Sequence, residues 1–108
     1  MGAGASLKSV MKSWKAKANA TAQMLNGNSP YDEAAARNTL QDFVADSQAI
    51  DARLTGATAA SRDMKMRFEK FSADATAAQG LLASSEKLKP SYVKMIGACR
   101  SCHDQYAN

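Results

Sequence analysis

Residues 36–54 read ARNTLQDFVADSQAIDARL, and within them Ala36, Leu40, Phe43, Ser47, Ile50 and Leu54 recur at alternating steps of four and three. That rhythm lays small and apolar side chains along one stripe of a helix and leaves the charged residues between them for solvent. The stretch predicts a helix with one buried face.

The same rhythm appears on both sides of it. From about Gly4 to Leu25, a stripe of Leu7, Met11, Trp14, Ala18, Thr21 and Leu25 predicts a first helix. It ends at Asn26-Gly27-Asn28-Ser29-Pro30, residues that tolerate left-handed or extended backbone, with Ser29 placed to cap the second helix and Pro30 to begin it. That second helix covers roughly 30–54, carries Asp32 and Glu33 in its first turn, and closes at Thr55-Gly56. A third helix is expected from about Thr58 to Lys87, striped by Met64, Phe68, Phe71, Ala75, Ala78 and Leu82. Leu88-Lys89-Pro90 reads as the last break, and a fourth helix then runs almost to the end through Tyr92, Ile96, Cys99, His103 and Tyr106. No segment alternates with period two, so the chain is expected to be all-α. Short connections make successive helices antiparallel neighbours, which predicts an up-down-up-down four-helix bundle forming a single domain over residues 1–108. Alanines on the stripes allow close approach at one end, while Met, Trp and Phe fill a wider region.

Composition agrees with a small folded domain. The 108 residues are 45% hydrophobic and 22% charged, with two prolines and six glycines. Fourteen basic and ten acidic residues give a net charge of +4. The basic residues are spread along the chain, which argues against a nucleic-acid partner and fits a solvated surface able to steer an acidic protein. No apolar run approaches the length of a membrane span. Met1–Ser6 read MGAGAS, without the apolar core of a signal peptide.

One motif is sharp. Cys99-Arg100-Ser101-Cys102-His103 is a C-x-x-C-H pentapeptide that uses both cysteines and the only histidine of the chain. It is the attachment signature of haem c. Two thiols add to the two vinyl groups, and the histidine after the second cysteine reaches the iron. On a helix Cys99 and His103 lie four residues apart on one face, with Cys102 one turn from Cys99. Two rival readings use the same residues. A redox disulfide normally opens a helix after a strand, a context missing here. A zinc site would need a fourth ligand, such as Asp104. Covalent haem implies maturation outside the bacterial cytoplasmic membrane, hence an exported, periplasmic protein. No second histidine, nucleophile-base pair or glycine-rich phosphate loop points to an enzyme.

The pentapeptide lies close to the C-terminus on the last of four helices, and Gly27-Asn28-Ser29-Pro30-Tyr31-Asp32 forms a G-x-x-P-[YF]-D turn. In both respects the chain resembles the class II c-type cytochromes, the cytochrome c′ superfamily, over essentially its whole length. The resemblance implies that Met11, nineteen positions before Pro30, faces the distal side of the haem. High-spin members place a non-ligating apolar residue there, and the low-spin branch a methionine that binds iron. It therefore implies a His103-Fe-Met11 site in an electron carrier with redox protein partners; the alternative is five-coordinate iron that binds NO or CO. Periodicity alone leaves Met11 as core filler, and Met64 as the rival thioether. Trp14 is one turn beyond Met11 and is a candidate to pack on the haem. Phe68 or Phe71 is expected to touch the porphyrin, and Tyr106 matches an aromatic position after the histidine. Ala107 stands where the family commonly has arginine, a departure. Pairing of two bundles is a further implication of the family.

Overall fold

The computed structural model describes the backbone of residues 7–106 and the side chains of residues 8–101. Four helices follow one another: α1 (Leu7–Leu25), α2 (Glu33–Arg53), α3 (Ala59–Gln79) and α4 (Ser85–Tyr106). Each packs beside its chain neighbours, and α4 closes the ring against α1. Among the described residues the widest contact is α2 on α3 and the narrowest is α1 on α4. This is the expected all-α, antiparallel four-helix bundle, and no strand occurs among the described residues.

The helix ends are set by local chemistry. Gly27 takes a left-handed φ of 80° after α1, and the Asn28 N–H returns to the Gln23 carbonyl at 2.9 Å, closing the last turn. The second helix starts three residues later than the sequence rhythm suggests. Asp32, not Ser29, is its cap, with a carboxylate oxygen accepting from the Ala35 N–H at 3.1 Å, so Pro30 lies before the helix. Thr58 caps α3 in the same way through the Ser61 N–H at 3.0 Å.

The largest difference lies between α3 and α4. The third helix stops at Gln79 rather than Lys87, and the fourth begins at Ser85 rather than Pro90. Gly80 ends α3, and the turn through Leu81 and Leu82 leads to Ser84, whose hydroxyl accepts from the Lys87 N–H at 3.3 Å. Pro90 is therefore inside α4. Its missing N–H deprives the Glu86 carbonyl of a partner, but both residues are exposed and water can serve that oxygen.

The core follows the predicted stripes closely in α2 and α3. Ala36, Leu40, Phe43, Ser47 and Ile50 are buried, as are Phe68, Phe71, Ala75, Ala78 and Leu82, the last from the turn and not from a helix. Ala36, Ala75 and Ala78 are fully enclosed at one end of the bundle. Toward the other end the rings of Trp14, Phe43, Phe68 and Phe71 cluster, with Trp14 stacked on Phe71 at 5.1 Å. Val10, Leu88 and Met95 join the core without having been legible as stripe members.

Polar ties hold α1 in register. Its Trp14 indole N–H donates to a buried Asp46 carboxylate at 2.9 Å, Lys17 pairs with Asp42 at 2.7 Å, and Thr21 donates to Thr39 at 3.2 Å. The Tyr92 hydroxyl donates to the Ala18 carbonyl at 2.9 Å, joining α4 to α1. Burial pushes the Tyr92 phenol well above its ordinary value of 10.0. The fold thus favours the neutral phenol, so its contribution is complete below the unfolded pKa and falls as pH rises past it. Urea midpoints measured from about pH 9 to 11 should drop steeply, and Tyr92→Phe should flatten that drop while costing about 1 kcal/mol at neutral pH. An equally steep drop in the variant would remove Tyr92 as the cause.

Candidate functional site

The bond from Tyr92 to Ala18 fixes how α4 lies on α1. Because the helices are antiparallel, two turns from each anchor lead to Met11 on α1 and Cys99 on α4. The two residues occupy about the same height on neighbouring helices, both half-buried and both packed against the core. Helical backbone continues without a break through Cys99, Cys102 and His103 to Tyr106. The side chains of Cys102, His103 and Tyr106, like the whole of Ala107, lie outside the described residues. A third helix reaches the same segment, where an Arg67 guanidinium nitrogen lies 3.4 Å from the Ser101 hydroxyl and hydrogen-bonds to it.

The other expected residues sit around this end of the bundle. Trp14 is buried, between Phe43 at 5.1 Å and Phe71 at 5.1 Å, and Phe68 meets it edge-on at 6.3 Å. Asp46 holds the indole from α2, a partner that the sequence rhythm did not single out because it lies beside the stripe. The signal was present as a second, shorter series on α2: Thr39, Asp42 and Asp46 each bind a side chain of α1.

Position also sorts the methionines. Met24 lies at the opposite end of α1, where its sulfur accepts from the Asp32 N–H at 3.3 Å. Met66 is largely exposed, and Met95 is enclosed in the core. Among the described methionines, Met11 and Met64 remain half-buried toward the end that carries Cys99.

These residues fit a covalently held, largely apolar ring better than a bare metal ion. An uninterrupted helix sets the two thiols three residues apart and the imidazole four residues from Cys99, as thioether attachment with axial ligation requires. The surroundings of Cys99 are apolar and incompletely covered. A small cavity of about 170 Å³ between α2 and α3 is lined by Ser47, Asp51, Phe68 and Glu69. There the Ser47 hydroxyl is buried without a partner among the described residues.

A four-helix bundle whose final helix bears C-x-x-C-H defines a class of c-type cytochrome. A family model described as Cytochrome C′ matches residues 5–107. Cytochrome c′ of Rhodopseudomonas palustris is 30% identical over 112 aligned residues, covering 92% of this chain and 77% of that protein. The chain belongs to the cytochrome c′ family and is a monohaem c-type cytochrome whose cofactor is covalent haem c. No solved structure matches it.

Proposed function

We propose that the protein is a periplasmic electron carrier in which Cys99 and Cys102 would bear the haem and His103 and Met11 would ligate its iron. The observation that carries this reading is the register of α1 on α4, which sets Met11 at the height of the attachment segment. When bound, the group supplies one-electron exchange between ferric and ferrous iron. The chain's own contribution is positional. The last turns of α4 carry His103 and both cysteines on one continuous helix, and α1 would offer a soft thioether, a donor that favours the reduced metal. Asp46 holds Trp14 in place, and Trp14 with Phe68 keeps water from that end of the core. Export is inferred from the attachment chemistry; among the described residues no helix is long and apolar enough to cross a membrane.

The family match supports a second reading, five-coordinate iron that binds NO or CO. Absorption spectra of the holoprotein and of Met11→Ala decide between them. If Met11 ligates, the wild type is low-spin with a thioether-to-iron charge-transfer band, and the variant is high-spin. A ligand that must displace Met11 sees only the open fraction of sites, so CO should bind the variant more tightly by on the order of tenfold or more. A wild type that is already high-spin establishes the second reading. A low-spin spectrum that survives in Met11→Ala excludes Met11 and directs the same test to Met64.

A further inference from the structure

The basic residues that are scattered along the sequence are gathered in space. The first helix carries Lys8, Lys12, Lys15 and Lys17 and no acidic residue, and the fourth carries Lys87, Lys89, Lys94 and Arg100 against Glu86 and Asp104. Together these two adjacent helices hold eight of the fourteen basic residues and two of the ten acidic ones, a net charge of +6. The other two hold six basic and seven acidic residues, a net charge of −1. That opposite side also neutralises itself. Arg37 pairs with Glu33, Lys65 with Asp51, Arg67 with Asp63 and Lys70 with Asp74. On the basic side only Lys17 pairs with a described carboxylate, Asp42 of α2.

Between α1 and α4 runs a groove of about 290 Å³. Its floor is apolar, built from Ala18 and Ala22 on one wall and Tyr92, Val93, Ile96 and Gly97 on the other. Lys89 and Arg100 line it toward its two ends, eleven residues and about 16 Å apart along α4. Val93 is 60% exposed there, although most large apolar side chains of the chain are covered. Lys15 is one turn from both Met11 and Ala18 on the wall side of α1, so its charge borders the same groove. Ile96 and Arg100 flank Cys99.

We propose that this α1–α4 face is the docking surface for an acidic protein partner, with an apolar side chain of the partner seated in the groove and its carboxylates on Lys15, Lys89 and Arg100. The partner's role as a redox protein rests on the electron-carrier reading; its acidity rests on the charge distribution alone. A second copy of this chain would bring like charge against like charge. A flat anionic membrane would satisfy the lysines but leave a concave apolar floor unfilled. Placement beside Cys99 puts the docked partner at the helix that bears the attachment motif.

The test uses the reduced holoprotein and, as probe, a synthetic peptide with glutamates flanking a central leucine, followed by amide chemical shifts at low salt. Binding should shift Ala18, Ala22, Val93 and Gly97, and the double reversal Lys15→Glu with Lys89→Glu should weaken it by on the order of tenfold. Arg37→Glu with Lys70→Glu changes net charge equally on the opposite side and should leave affinity within about twofold. Lys89→Glu alone provides a second variant should the pair fail to fold. Equal weakening by the two double variants, or shifts scattered over α2 and α3, overturns the proposal. So does retention on phosphatidylglycerol vesicles that the peptide cannot displace, which assigns the face to a membrane. The Met11→Ala spectrum tests the carrier reading separately, since docking is unaffected by the number of axial ligands.

Discussion

Replacing both cysteines, Cys99→Ala with Cys102→Ala, should yield a protein that keeps no haem through a denaturing gel or extraction with acidified organic solvent. The chain has only two cysteines, so the double variant removes every thiol able to form a thioether. Either single variant leaves one bond and should retain colour on the gel. An imidazole contact alone does not survive denaturation, because the helix that presents His103 is then lost. The result separates covalent haem from the two other chemistries that the pentapeptide taken alone would allow. A redox disulfide or a zinc site predicts a colourless wild type, while covalent haem predicts a coloured wild type and a colourless double variant. Haem retained on the denatured double variant would overturn the assignment of the two cysteines.

Phe43→Ala should lower the unfolding free energy by about 4 kcal/mol, the upper range for a large buried side chain cut to alanine. Phe43 is 1% exposed and its ring lies 5.1 Å from Trp14 and 5.3 Å from Phe71, so truncation loses burial and two ring contacts at once. Neighbours cannot collapse freely into the gap, since Trp14 is tied to Asp46 on the same helix that carries Phe43. Against a total of about 5–15 kcal/mol for a domain of this size, such a loss is severe. Urea unfolding should show a much lower midpoint with little change in slope. A loss under about 1 kcal/mol would mean that the ring cluster is not the central packing unit.

Much of this architecture was legible from residue spacing. The stripe of α2 is buried at Ala36, Leu40, Phe43, Ser47 and Ile50, and that of α3 at Phe68, Phe71, Ala75 and Ala78. Helices with one strongly buried face announce themselves in this way. Boundaries were less legible, for a physical reason at each place. Pro30 reads as a first helical residue, yet the Asp32 carboxylate caps more effectively, and Pro90 reads as a break, yet an exposed carbonyl can forgo its partner. Leu88 then went unrecognised as core because its helix was expected to start after it. Of the site, the pentapeptide was plain in the sequence, and Met11 needed the family resemblance to be singled out from six methionines. Asp46 was hidden, since an acidic residue beside an apolar stripe usually faces water. The asymmetry of charge was hidden more thoroughly: lysines at opposite ends of a chain become neighbours only when the first helix closes on the last.

The bundle is unevenly knit. Among the described residues its middle pair, α2 and α3, shares the broadest contact, whereas α1 is held by Val10, Trp14 and Leu25 in the core and by a few polar ties. Lifting the first helix while the hairpin behind it stays closed would draw Trp14 out from between Phe43 and Phe71 and break its bond to Asp46. Met11 would travel with that helix, and Cys99 would stay on the one docked to α3. Parting the two sides of the site thus carries the cost of wetting an indole.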